Sequence, residues 1–105
     1  VIAVLDMGYT LLEDCGFTRA EAVRATGQLV MRNIENVLEA GCDGALTGPI
    51  ERNDIETVKK HIACMQNDDS DDVSLYKMLG TKLANIAEKK NPDKDYTQMM
   101  ELLRG

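Results

Sequence analysis

Apolar residues recur along the chain at intervals of three and four, and alternation at period 2 is scarce. That pattern predicts helices and no strands. From Val1 to about Asp14, Val1, Leu5, Gly8 and Leu12 line one side of a helix, and Val4, Met7 and Leu11 line another. Apolar positions nearly all round predict a central, buried helix, with Gly16 as its stop. A second helix opens at Thr18 and Glu21, whose spacing is that of a capping box. Val23, Gly27, Val30, Ile34, Val37 and Leu38 then fall on one face, and the helix is expected to end near Gly41.

The third helix is expected to start from a second capping box, Asn53 with Glu56. Ile55, Val58, Ile62 and Met65 form its apolar stripe at spacings of 3, 4 and 3. The fourth is expected from about Asp71 to Lys90, with Tyr76, Leu79, Leu83, Ile86 and Ala87 turned inward. Its acidic start (Asp68, Asp69, Asp71, Asp72) and basic end (Lys89, Lys90) suit the helix dipole, and Asn91-Pro92 stops it. A short fifth helix carries Tyr96, Met99, Met100 and Leu103. The expected fold class is therefore all-α, a bundle of about five helices joined by short loops.

At 105 residues and 11.6 kDa the chain has the length of one domain, 1–105, with enough surface to bury one modest core. A net charge of −6 and a pI near 4.7 argue against nucleic acid, because neutralising phosphates takes clustered Lys and Arg. The longest strongly apolar stretch, Val1 to Leu12, is broken by Asp6 and too short for a bilayer. Cys15, Cys42 and Cys64 are odd in number and widely spaced, with no Cys-x-x-Cys and a single histidine. Reduced thiols in a cytoplasmic protein are expected, and no metal site. The chain opens at Val1, inside an apolar pattern and without an initiator Met. That is expected of a piece of a longer protein.

The segment Gly41 to Arg52 holds the unusual chemistry. Gly48 admits backbone angles closed to other residues, and Pro49 fixes the next position. Thr47 offers a hydroxyl and Arg52 a planar fork for a carboxylate or phosphate. The segment reads either as a plain helix connector or as a turn presented to a ligand or to a partner subunit. Gly8, Gly27 and Gly80 interrupt helical stripes, each at about 1 kcal/mol relative to Ala. That suggests close helix crossings, within or between chains. The four aspartates between 68 and 72 fail the calcium-loop pattern, which needs a glycine at the sixth position and a glutamate at the twelfth. His61 is expected on a helix flank. No catalytic residue can be assigned.

Residues 44 to 54, Gly-Ala-Leu-Thr-Gly-Pro-Ile-Glu-Arg-Asn-Asp, followed by Thr57, Val58 and His61, resemble a signature of reductase-like proteins. These are an uncharacterised Rossmann-like family distantly related to pyrroline-5-carboxylate reductase and ketopantoate reductase. Their C-terminal helical domain is similar to that of 6-phosphogluconate dehydrogenase. The resemblance spans nearly the whole chain. It implies a two-domain parent whose N-terminal Rossmann domain holds NADP on a glycine-rich turn and delivers hydride to a small imine or keto acid. The helical domain closes one side of the substrate cleft and pairs with its twin as a homodimer. On this reading Thr47, Gly48 and Pro49, with Arg52 more distantly, lie at the substrate cleft or the dimer partner. Gly8, Gly27, Val30 and Ile34 are the expected interface positions. This chain has no strand feeding a Gly-x-Gly-x-x-Gly turn, so it is expected to hold no cofactor and to catalyse nothing alone. The rival expectation is a non-catalytic protein–protein interaction module that dimerises through its helices.

Overall fold

A computed structural model describes residues 1–65 and 71–105. Among these the fold is all-α: α1 (Ile2–Asp14), α2 (Arg19–Ala45), α3 (Ile55–Met65), α4 (Asp72–Lys90) and α5 (Thr97–Arg104). The chain divides into two compact units, Val1–Glu39 and Ala40–Gly105. The expected aspartates at positions 68 and 69 lie outside the described residues.

In the first unit, α1 ends in a Schellman motif. Phe17 N–H donates to Leu12 O at 3.1 Å and Gly16 N–H to Glu13 O at 3.0 Å, with Gly16 at φ +104°. Only glycine adopts that angle without strain, so the stop is built by Gly16. The capping box of α2 forms as its sequence predicts. Glu21 N–H donates to Thr18 Oγ1 at 3.2 Å, and Thr18 N–H donates to Glu21 Oε1 at 3.0 Å. Those bonds hold the Glu21 carboxyl below its ordinary pKa, the Thr18 backbone donor contributing most. Arg19 pairs with Asp6 and with Glu13, the latter at 2.9 Å, and its guanidinium lies 5.1 Å from the centroid of the Tyr9 ring. These groups are exposed, so the ion pairs contribute little to stability.

The expectation of a buried α1 is corrected: no residue of α1 is buried. Ala22 is the one buried residue of the first unit, whereas Val1, Ile2, Val4, Val23, Leu29, Ile34 and Leu38 are exposed. An apolar pattern reports that a face needs cover. It does not report which chain supplies it.

The second unit holds the core of Ile50, Val58, Ile62, Ala84, Ala87, Tyr96, Met99, Met100 and Leu103. The α3 stripe sits as predicted, with Val58, Ile62 and Met65 buried and Ile55 packed against the core. All four expected residues around α5 are buried. On α4 the inward face is Gly80, Ala84 and Ala87, and Leu79 and Leu83 are exposed. This corrects the expectation for Leu79 and Leu83 by one position, whereas Ala87 is buried and Tyr76 packs against the core as expected. The small residues win because α5 approaches closely there: a Cβ on Gly80 would meet Leu103 Cδ2 at 2.8 Å and Ile50 Cδ1 at 3.2 Å. Gly8 and Gly27 have nothing within 4 Å of such a Cβ, so neither makes a close helix crossing within the first unit.

Candidate functional site

The helical path of α2 breaks at Gly41, with φ 77° and ψ 174°. One further turn runs to Ala45, and the chain then enters the loop that the sequence singles out. Gly48 takes φ +103° with open space where a Cβ would be. Its role is the backbone angle rather than a close approach. From there the loop winds into consecutive turns. Arg52 N–H donates to Gly48 O at 3.0 Å, Asn53 N–H to Ile50 O at 3.1 Å and Asp54 N–H to Pro49 O at 2.8 Å. Ile50 is buried and anchors the segment in the core.

The start of α3 is capped one residue later than expected. Asp54, not Asn53, takes the role: Thr57 N–H donates to Asp54 Oδ1 at 3.2 Å and the Thr57 hydroxyl to Oδ2 at 2.7 Å. These two bonds hold the Asp54 carboxyl below its ordinary pKa, with smaller help from the charges of Arg52 and Lys60. Asn53 sits at φ 61°, a left-handed angle that Asn tolerates better than most residues and that an N-cap does not use. Its Nδ2 donates instead to Asp95 O at 2.7 Å, and its Oδ1 is buried without a partner.

The loop is braced by residues far along the chain that its own sequence does not announce. Lys90 Nζ donates to Leu46 O at 2.8 Å and lies 4.0 Å from Glu51 Oε1. Asn91 Nδ2 donates to Glu51 Oε1 at 3.3 Å and to Tyr96 Oη at 3.1 Å. The Tyr96 hydroxyl, on a residue 1% exposed, donates to Glu51 O at 2.5 Å. The end of α4 and the approach to α5 therefore clamp both sides of Gly48-Pro49.

The four site residues expected here come together on one turn. Gly48 and Pro49 shape it and are half-buried, whereas the side chains of Thr47 and Arg52 are exposed at its surface. The expected interface residues belong to the first unit: Gly8, Gly27 and Val30 are half-buried and Ile34 is 42% exposed. His61 is exposed on α3, with its Nδ1 3.0 Å from Tyr76 Oη and the two rings edge to face. Burial raises the Tyr76 pKa, so its hydroxyl is protonated at neutral pH and available as a donor. The three cysteines are free and exposed. Among the described residues no group of three potential metal ligands gathers, and no helix is long and apolar enough to cross a membrane.

Comparison with protein families gives one match, to the family described as Domain of unknown function (DUF2520), over residues 1–83. The chain belongs to that family. The matched span takes in α1, α2, the braced loop, α3 and the first part of α4. Asn91 and Tyr96, which brace the loop, lie beyond it. Comparison with curated proteins and with solved structures finds no match. The positive-φ glycines, Gly16, Gly41 and Gly48, sit at helix ends and in a loop, and among the described residues none of them lies in a strand-to-helix turn of the kind that holds a dinucleotide.

Proposed function

We propose that this chain is the dimerisation and substrate-side domain of an NADP-dependent oxidoreductase-like protein that acts on a small imine or keto acid. It is similar in role to the C-terminal domain of 6-phosphogluconate dehydrogenase. The Rossmann domain that holds NADP belongs to the parent protein, which is cytoplasmic on this reading. This chain alone is not catalytic.

The observation that carries the reading is the braced turn. Three residues of the loop, Leu46, Glu51 and Asn53, are tied by hydrogen bonds to α4 and to the approach to α5, and backbone bonds within the loop wind it into turns. The side chains of Thr47 and Arg52 make no hydrogen bond or ion pair among the described residues, the Arg52 backbone N–H alone being used, on Gly48 O. A connector needs no such bracing, whereas a surface that orients a substrate gains from it. Arg52 then offers its fork to a substrate carboxylate, Thr47 its hydroxyl, and Gly48-Pro49 the shape of the wall. The test is a titration of the full-length parent with NADPH, followed by kinetics on Arg52→Gln. Cofactor binding that is unchanged in the variant, with KM for a keto acid raised at least about tenfold, supports the reading. A parent that does not bind NADPH refutes it.

The rival, a non-catalytic dimerisation module, draws on a different observation. Val23, Gly27, Val30, Ile34 and Val37 follow one another on α2 at spacings of 4, 3, 4 and 3. That is the seam of two packed helices, and Val23 and Ile34 are exposed on it. Both readings call for a homodimer through Gly27, Val30 and Ile34 of α2, with Gly8 of α1 as a further expected interface position.

A further inference from the structure

The chain carries a net charge of −6, yet among the described residues the only charged ones lining one groove of its second unit are cations. Successive turns of one face of α4 present Ser74, Lys77, Thr81 and Lys82, and α5 closes the groove with Leu103 and Arg104. The cavity holds about 530 Å³, within the range of small-molecule sites. Among the described residues no Asp or Glu lines it. Glu88 and Glu101 border a second, smaller hollow that shares Asn85 and Arg104 with this one. No ion pair among the described residues engages Lys77, Lys82 or Arg104. The Thr81 hydroxyl spends its proton on Lys77 O at 2.8 Å. The Ser74 hydroxyl is left free to donate.

Three like charges around one concavity repel one another, and the fold gains nothing from gathering them without a counter-charge. An anion resolves that. Arg104 supplies a planar fork for two oxygens of one group, and the two lysines supply movable point charges for a second. Leu103 gives the groove an apolar wall for the body of the molecule. We propose that the α4–α5 groove binds a small molecule carrying two phosphate groups or a pyrophosphate. This site is separate from the Thr47–Arg52 turn, and it stands whether or not that turn meets a substrate.

The test uses inorganic pyrophosphate on the whole chain, followed by amide chemical shifts at constant ionic strength. The expected result is saturable shifts confined to Ser74, Lys77, Lys82 and Arg104 and their neighbours, half-complete near about 1 mM. Raising salt should weaken them, because the site is open to water. Lys77→Gln with Arg104→Gln should lower the affinity at least about tenfold. Ser74→Asp provides a variant whose fold is safe, since a carboxylate in the first turn of a helix is favoured. It should abolish the shifts while leaving the helical circular dichroism intact. Shifts spread equally over Lys59, Lys60, Lys89 and Lys94, or undiminished in Ser74→Asp, would overturn the proposal. So would the absence of saturation.

Discussion

Replacing Tyr96 by Phe removes one oxygen atom and preserves the ring that fills the core. Tyr96 is 1% exposed, and its hydroxyl donates to Glu51 O at 2.5 Å while accepting from Asn91 Nδ2 at 3.1 Å. Asn91 Nδ2 retains Glu51 Oε1 at 3.3 Å, so the substitution strands one group, the Glu51 carbonyl. Leaving a buried acceptor unpaired costs about 1–3 kcal/mol. This site is only partly buried, which puts the expected loss near about 1.5 kcal/mol. At roughly 4–8 °C per kcal/mol for a domain of this size, Tm should fall by about 6–12 °C. Urea unfolding followed by circular dichroism is the assay, with the midpoint lowered and the slope unchanged. Tyr9→Phe, on the first unit, is the control and should stay within about 0.5 kcal/mol. A loss for Tyr96→Phe inside that same margin would refute the argument, because it would mean that water already serves the carbonyl and that the loop is not clamped from α5.

Other consequences are as direct. Thr18→Ala removes the oxygen that receives the Glu21 amide and should cost about 1 kcal/mol, read as fraying of the first turn of α2 by hydrogen exchange. Gly80→Ala places a methyl 2.8 Å from Leu103 Cδ2. Crowding of about 1–3 kcal/mol should outweigh the roughly 1 kcal/mol gained in helix propensity, and a variant more stable than the wild type in urea would show that α5 stands further off. The carboxyls of Glu21, Asp54 and Asp95 are all held below their ordinary pKa by hydrogen bonds from Thr18, Thr57 and Thr97. Their contribution is therefore present above the unfolded-state values near pH 4 and is lost as pH falls through the lower folded values. An acid titration by nuclear magnetic resonance should show the Thr57 amide losing protection below about pH 4 and not above it.

Much of this architecture was legible because local chemistry decides it. The Thr18–Glu21 box and the Gly16 stop depend on residues within one turn of each other, as does the apolar stripe of α3. What was not legible depends on partners far away in sequence. Leu79 and Leu83 were expected inward on α4, and the close approach of Leu103 and Ile50 to Gly80 favours the small residues Gly80 and Ala84 there instead. The sequence pointed to Asn53 as the cap of α3, whereas Asn53 takes a left-handed angle and bonds Asp95 O, far along the chain, which leaves the cap to Asp54. The turn at Thr47 to Arg52 was visible through its glycine and proline. Its bracing by Lys90, Asn91 and Tyr96 was not, because nothing in a helix C-terminus signals which carbonyl it will serve. The cationic face of α4 was hidden for a similar reason: spaced lysines look like a solvated flank until α5 adds Arg104 opposite them.

The apolar residues that α1 and α2 leave exposed call for cover, and the proposed pairing through α2 would supply it. The deciding measurement is molar mass by light scattering across a range of concentrations, for the wild type, Gly27→Leu and Ile34→Glu. Neither substitution should harm the monomer, since a Cβ at Gly27 meets nothing within 4 Å and Ile34 is 42% exposed. The account predicts a wild type at twice 11.6 kDa and both variants at the monomer mass with unchanged helical content. A wild type that is monomeric at every concentration, or a dimer indifferent to both substitutions, would contradict it.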